Sequence, residues 1–205
     1  MMRTMVAVAV LFVSSPAAVH AQEPFLFFMG DRVEYVEHEG SWLWDMQGWY
    51  GNDEHKLWLK TEGEHDDGDT AEADLQLLYG RPVSAYWDLQ LGLRHDIEPS
   101  NGGIYAVIGL QGLAPQWFEI DVAAFIHEDG DVTARFEAEY DLLLTQRWIL
   151  QPRMEFDSGH ESIAFGLRLR YEIRREFAPY IGLSWQDTDG QEDFLSLVAG
   201  ARFWF

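Results

Sequence analysis

The last thirteen residues, DFLSLVAGARFWF (Asp193 to Phe205), decide the fold. Counting back by twos from Phe205 gives Phe203, Ala201, Ala199, Leu197 and Leu195, an unbroken apolar face. The alternate positions are Trp204, Arg202, Gly200, Val198 and Ser196, mostly small, polar or charged. Strict period-2 alternation over this length suits a strand with one side in lipid and the other in a wet or ion-paired lumen. The ordinary alternative is the last strand of a soluble sandwich. The rest of the chain has to choose between them.

Working back from that strand, similar segments recur at roughly 31–38, 41–50, 55–65, 70–81, 85–97, 103–114, 117–127, 131–144, 147–157, 161–173, 177–187 and 193–205. Nowhere is helical spacing of apolar residues sustained. The count predicts an all-β, closed antiparallel barrel of the bacterial outer membrane with about twelve strands; ten is the alternative, because the first segment is the weakest. The connections alternate in character. One set, including Glu98 to Gly103, Glu128-Asp129-Gly130 and Asp187 to Gln191, is acidic and glycine-rich. The other, including Gly80-Arg81-Pro82 and Thr145-Gln146-Arg147, is less acidic and carries Arg or Pro. With the C-terminus in the periplasm, the acidic set faces outward. All loops are short.

Parity separates the faces. Leu57, Leu59, Leu75, Leu77, Leu91, Leu93, Phe165 and Leu167 share one parity, which faces lipid. Lys60, Glu62, Asp74, Arg94, Asp121, Arg135, Glu137, Glu139, Asp141, Arg153, Glu155, Arg168, Arg170 and Arg202 share the other. A sandwich core could not hold so many charges, since unpaired buried ions cost several kcal/mol each. A barrel lumen can, through water and Arg–carboxylate pairs. Lys60/Glu62, Arg94/Asp88 and Arg168/Arg170/Glu172 read as structural ion pairs, and the mixed signs predict a narrow, substantially filled lumen. Met46 and Met154 fall on the lipid parity, as packing residues.

At the other end of the chain, Met1-Met2-Arg3, the apolar run Met5 to Val13 and Val19-His20-Ala21 form the basic, apolar and cleavage regions of a secretory signal. The expected organisation is a signal peptide over 1–21, a short segment over 22–30 and the barrel over 31–205. About 184 mature residues suit one domain. Thirty-five acids against fourteen bases, a net charge of −21, argue against nucleic-acid binding. No cysteine is present, so disulfides, thiolate metal sites and a cysteine nucleophile are excluded. Aromatic residues at 15%, nine of them tryptophan, suit two membrane interfaces.

Several blocks then resemble the copper resistance protein B family: LWDMQGWYG (43–51), KLWLKTEGE (56–64), LLYGR (77–81), WDLQ (87–90), GLAPQWF (112–118), YDLLLTQR (140–147) with LQPR (150–153), GLRLRYEI (166–173) and EFAPYIG (176–182). They run in order through nearly the whole mature chain. The resemblance implies an outer-membrane protein that binds copper and assists its transport or sequestration, working with periplasmic copper proteins such as a multicopper oxidase or a copper carrier. No enzymatic role is expected of it, and it is expected to be a monomer in outer-membrane lipid. The alternative is a passive porin or structural barrel. One departure stands out. Such proteins commonly carry a Met- and His-rich segment ahead of the barrel, and here Gln22 to Gly30 holds a single thioether, Met29.

Five histidines fall near the acidic strand ends, each beside carboxylates: His38, His65, His95, His127 and His160. By parity His38, His127 and His160 lean inward, whereas His65 and His95 point outward or sit in loops. Imidazole with carboxylate suits Cu(II) or Zn(II) better than Cu(I), and such a site would weaken as imidazoles protonate between about pH 7 and pH 5. The ordinary reading is that these are solvated loop residues. A serine hydrolase would need a nucleophile within reach of a histidine. His160 with Ser158 or Ser162 is the one local candidate, and no nucleophile motif surrounds it.

Overall fold

The computed structural model describes residues 23–66, 69–98, 103–189 and 194–205. The signal-peptide reading of residues 1–21 and the proposed mature start at Gln22 lie outside them, as do loop residues 67–68, 99–102 and 190–191, and Asp193. Twelve strands follow one another: β1 (Phe25–Val36), β2 (Ser41–Gly51), β3 (Lys56–Asp66), β4 (Asp69–Ser84), β5 (Trp87–Glu98), β6 (Ile104–Leu113), β7 (Glu119–His127), β8 (Val132–Glu139, resumed at Leu142–Leu143), β9 (Trp148–Asp157), β10 (Ser162–Tyr171), β11 (Phe177–Thr188) and β12 (Phe194–Trp204). Each pairs antiparallel with its sequence neighbour, and β12 pairs with β1 to close the barrel. Twelve strands, not ten, form the wall.

The break in β8 has a local cause. Glu139 lies opposite Arg153 and Leu142 opposite Leu150, which puts Tyr140 opposite Pro152. Proline has no N–H to give the ladder. The chain stays in place because Tyr140 N–H donates to the Pro152 carbonyl at 3.1 Å.

The expected boundary at residue 31 is corrected. Phe25 to Gly30 belong to β1: Phe27 lies opposite Trp49, Met29 opposite Trp204 and Gly30 opposite Phe203. Phe28 and Phe205 exchange backbone hydrogen bonds of 3.0 and 2.8 Å. The run Phe25-Leu26-Phe27-Phe28-Met29 has no alternation to betray it, because a bulge at Asp31 switches parity. Gly30 pairs with Met46 and Arg32 with Asp45, leaving Asp31 as the extra residue. Asp31 and Arg32 therefore both face the lumen, and so does Met29.

The exterior is as predicted. Leu57, Leu59, Leu77, Leu93, Leu195 and Leu197 are all more than half exposed, although each is large and apolar. Such a surface is stable only against lipid. Aromatic pairs mark both interfaces: Trp148 with Tyr171 (4.8 Å) and Phe118 with Tyr140 (4.9 Å) at the end holding the termini, Tyr35 with Trp42 (5.5 Å) and Phe165 with Trp185 (5.7 Å) towards the acidic end.

Candidate functional site

The functional space of a closed barrel is its lumen, and here the two sides of the lumen differ. On the β9–β1 side, arginines fill it. Arg168 on β10 donates to Glu34 on β1 through Nε (3.0 Å) and Nη2 (2.8 Å), and the Tyr180 hydroxyl donates to the same carboxylate at 3.0 Å. Glu34, Arg168 and Tyr180 are 1%, 3% and 5% exposed. Two glycines make this reach possible. A Cβ on Gly182 would lie 3.0 Å from Arg168 Cγ, and one on Gly200 would lie 2.7 Å from the Tyr180 hydroxyl. With both strands cleared of side chains, Arg168 crosses β11 and β12 to reach β1. A planar guanidinium against a carboxylate in this bidentate fit is among the stronger pairings a protein can make.

Next to it, Arg153 on β9 gathers acids from four strands: Asp31 (3.5 Å), Asp45 (3.8 Å), Glu137 (2.6 Å), Glu139 (2.9 Å) and its neighbour Glu155 (3.3 Å). Arg32 contacts Asp45 and Glu155, and Arg202 lies 3.0 Å from Asp31 and 3.5 Å from the Met29 sulfur. Arg170 pairs with Asp141.

On the β2–β8 side the lumen stays open, as a cavity of about 210 Å³. Its polar lining is Asp31, Asp45, Glu62, Glu119, Asp121, Glu137 and Glu139, with Lys60 and Arg135 as the only cations and Gln47, Gln76, Gln90 and Gln111 as amides. Beneath the charges lies an apolar patch of Trp58, Leu78, Val107 and Phe125. Three links cross this space. Lys60 Nζ on β3 lies 2.7 Å from Asp121 on β7, Arg135 on β8 reaches Glu62 on β3, and Gln90 donates to Gln111 (2.8 Å), which donates to Gln47 (3.3 Å). Towards the termini a second, wider recess of about 500 Å³ holds Trp58, Tyr86, Trp87 and the Lys56–Asp88 pair (2.5 Å).

Most charges predicted to face inward do so, but the pairings read along the strands are corrected. Lys60 bonds Asp121 rather than Glu62, Arg94 bonds Asp74 (3.2 Å) and Asp96 (2.6 Å) rather than Asp88, and Arg168 bonds Glu34 rather than Glu172. Inward residues on one strand stand two positions apart in a row, so the nearest opposite charge is more often on a neighbour or across the bore. Asp31, Arg32, Glu34 and Asp45 were missed. Alternation with Val33, Tyr35, Trp44 and Met46 could have found the last three; nothing in the sequence announces the bulge that turns Asp31 inward.

The rim histidines stand apart. His38 lies in the β1–β2 turn with its ring 5.0 Å from that of Phe194. His127 ends β7, its ring 4.8 Å from Tyr105 and its Nδ1 3.4 Å from Asp129. His160, in the β9–β10 turn, lies 3.5 Å from Asp157 and 3.4 Å from Glu72. Those two acids hold its proton on, raising its pKa to about 10. His65 lies opposite Trp42 on β2, and His95 is exposed on the outer face of β5. Among the described residues the one grouping of three metal-capable side chains is Asp31, Glu137 and Glu139, with ligand atoms within 4.8 Å of one another. It contains no histidine, and Arg153 contacts all three members. Ser158 Oγ accepts the Ala134 N–H at 2.7 Å, and neither Ser158 nor Ser162 is among the hydrogen-bond partners of His160 in the described residues.

Comparison with known proteins adds the following. The family model for "Copper resistance protein B precursor (CopB)" matches residues 24–205. Copper resistance protein B of Escherichia coli is 38% identical over 92% of this chain and 72% of its own length. The copper resistance protein B homolog of Pseudomonas syringae pv. tomato is 40% identical over 91% of this chain and 72% of its own length. Among solved structures the KdgM porin superposes with a TM-score of 0.57 at 11% identity, over 86% of this chain and 98% of that one. The NanC porin gives 0.54 at 12% identity, over 87% and 99%. At these identities the two porins share the barrel fold.

Proposed function

This chain belongs to the copper resistance protein B family, and from that premise we propose that it is an exported outer-membrane barrel that binds copper ions and assists their transport or sequestration. The observation that carries the reading is the cavity, where seven carboxylates face two cations. Copper is cargo here, and the donors on offer are carboxylate and amide oxygens with one thioether, Met29. Oxygen donors suit Cu(II) better than Cu(I). Arg153 already bridges all three acids of the Asp31–Glu137–Glu139 grouping, so the better-exposed cavity acids Glu62, Glu119 and Asp121 are the ones more open to an entering ion. The acidic mouth adds a weak, long-range attraction for cations, screened over ~8 Å at physiological salt. In this reading both termini and the Arg-bearing turns lie on the periplasmic side, where a copper carrier or multicopper oxidase meets the barrel.

Copper uptake by liposomes containing the purified barrel tests this directly, with tryptophan fluorescence reporting binding. Uptake above protein-free liposomes is expected. A passive barrel would show neither copper-dependent quenching nor uptake beyond that of other small cations. Assembly supplies a second check. Phe205 closes the seam with Phe28, so Phe205→Asp, or its deletion, is expected to abolish accumulation in the outer membrane.

A further inference from the structure

The two cations that line the 210 Å³ cavity, Lys60 and Arg135, both reach carboxylates on its far side. Lys60 on β3 bonds Asp121 on β7. Arg135 on β8 bonds Glu62 on β3 through Nη1, while its Nε holds the buried Asp157 on the neighbouring β9 at 2.9 Å. Three strands of the twelve-strand wall lie between the first pair and four between the second, so both bridges run across the bore. Each cationic head also has a ring behind it. Lys60 Nζ lies 5.8 Å from the Trp58 ring, and the Arg135 guanidinium 5.8 Å from the Phe125 ring. Those rings belong to the buried apolar patch of the wall, and the attraction of a cation to a ring face fixes the heads at mid-bore.

The acidic partners differ from the buried Glu34. Side chains of Asp121 and Glu62 keep 29% and 27% of their exposure, against 1% for Glu34. A partly wetted bridge parts far more readily than a dry one, because water replaces the lost contact. A hydrated cation entering the cavity would compete with Lys60 and Arg135 for the same carboxylates. The Gln90–Gln111–Gln47 strap is neutral, and its amides can exchange partners with water at little cost.

We propose that Lys60–Asp121 and Arg135–Glu62 are the bolts of a cation-selective conduit through the β2–β8 half of the lumen. Closed, they span the cavity from wall to wall. Parted by an incoming cation, they expose a path lined by carboxylates and amides, with specificity set by the excess of acid over base. The inference deepens the proposed role in copper movement and rests on the barrel being a route for ions.

Planar-bilayer recordings in potassium chloride test it without copper. The Lys60→Gln/Arg135→Gln barrel is expected to conduct several-fold more than wild type, and its reversal potential in a salt gradient to move towards that of potassium. Reversing one bolt, with Lys60→Asp and Asp121→Lys together, should return the conductance to the wild-type level. Heat-modifiable gel mobility identifies folded barrels. If the double variant does not fold, Lys60→Gln alone carries the test, with a smaller rise expected. Conductance equal to wild type in a folded variant, or a shift towards chloride, overturns the bolts even if liposomes take up copper. A several-fold rise in potassium current with no copper uptake supports the bolts and removes the copper reading.

Discussion

On the β9–β1 side of the lumen, Arg168 reaches Glu34 over two glycine-cleared strands and water is shut out; on the β2–β8 side, Lys60 and Arg135 meet their partners across a cavity. The residue types are the same, and burial separates their roles. A desolvated pair is a structural tie, since neither charge can be left alone. A wetted pair is a replaceable contact, since water or a mobile ion can take the place of either partner. The dry pair also ties β10 to β1 across the β12–β1 seam, where a linear chain becomes a closed wall.

The largest expected effect follows from the dry side. Arg168→Ala leaves Glu34 buried and unpaired, and breaking such a pair costs about 3–5 kcal/mol. Urea unfolding from lipid vesicles should show that loss. Replacing both partners, with Glu34→Gln and Arg168→Met, should recover most of it, because the penalty lies in the orphaned charge more than in the lost attraction. If the single variant is as stable as wild type, water reaches Glu34 and the contrast between the two halves disappears.

The cavity side should respond much more weakly. Gln111→Leu removes the centre of the amide strap, yet Gln90 and Gln47 can turn to luminal water, so a loss of about 1 kcal/mol is expected. A loss matching that of Arg168→Ala would mean that this half, too, is dry.

What the sequence made legible follows from the kind of signal each feature leaves. A strand in lipid writes period-2 alternation into ten or so residues, and eleven of twelve strands were located to within a few positions on that basis. β1 escaped because aromatic residues at the interface do not alternate and because a bulge resets parity at Asp31. The inward charges were legible for the same reason as the strands. Their partners were not. Lys60 and Asp121 are 61 residues apart, Arg168 and Glu34 are 134 apart, and those meetings depend on barrel closure and strand tilt, which leave no local trace. The glycines that admit Arg168, Gly182 and Gly200, carry no side chain, and nothing in the sequence around them marks the arginine that crosses there. The rim histidines were an expectation from composition near the turns. The three that lean inward have neighbours of their own, Phe194 for His38, Tyr105 for His127 and two carboxylates for His160.

The smallest expected effect belongs to that rim, and it sharpens where copper is to be sought. An unfolded histidine takes its proton at ~6.5, whereas His160 in its folded turn keeps it to about 10. A raised folded pKa gives stability that is fully present below about pH 6.5 and lost as pH rises through about 10. The side chain is nearly half exposed, so screening by solvent limits its worth to under about 1 kcal/mol. His160→Gln should therefore be slightly less stable than wild type at pH 6, with the gap closing above pH 10 in parallel urea titrations. A protonated imidazole offers no lone pair to a metal. At pH 7, then, His160→Gln is expected to bind Cu(II) as wild type does, whereas Asp121→Asn should weaken binding if the cavity acids hold the ion. Weaker copper binding by His160→Gln at pH 7 would show the metal displacing that proton, and would move the site from the lumen to the acidic mouth.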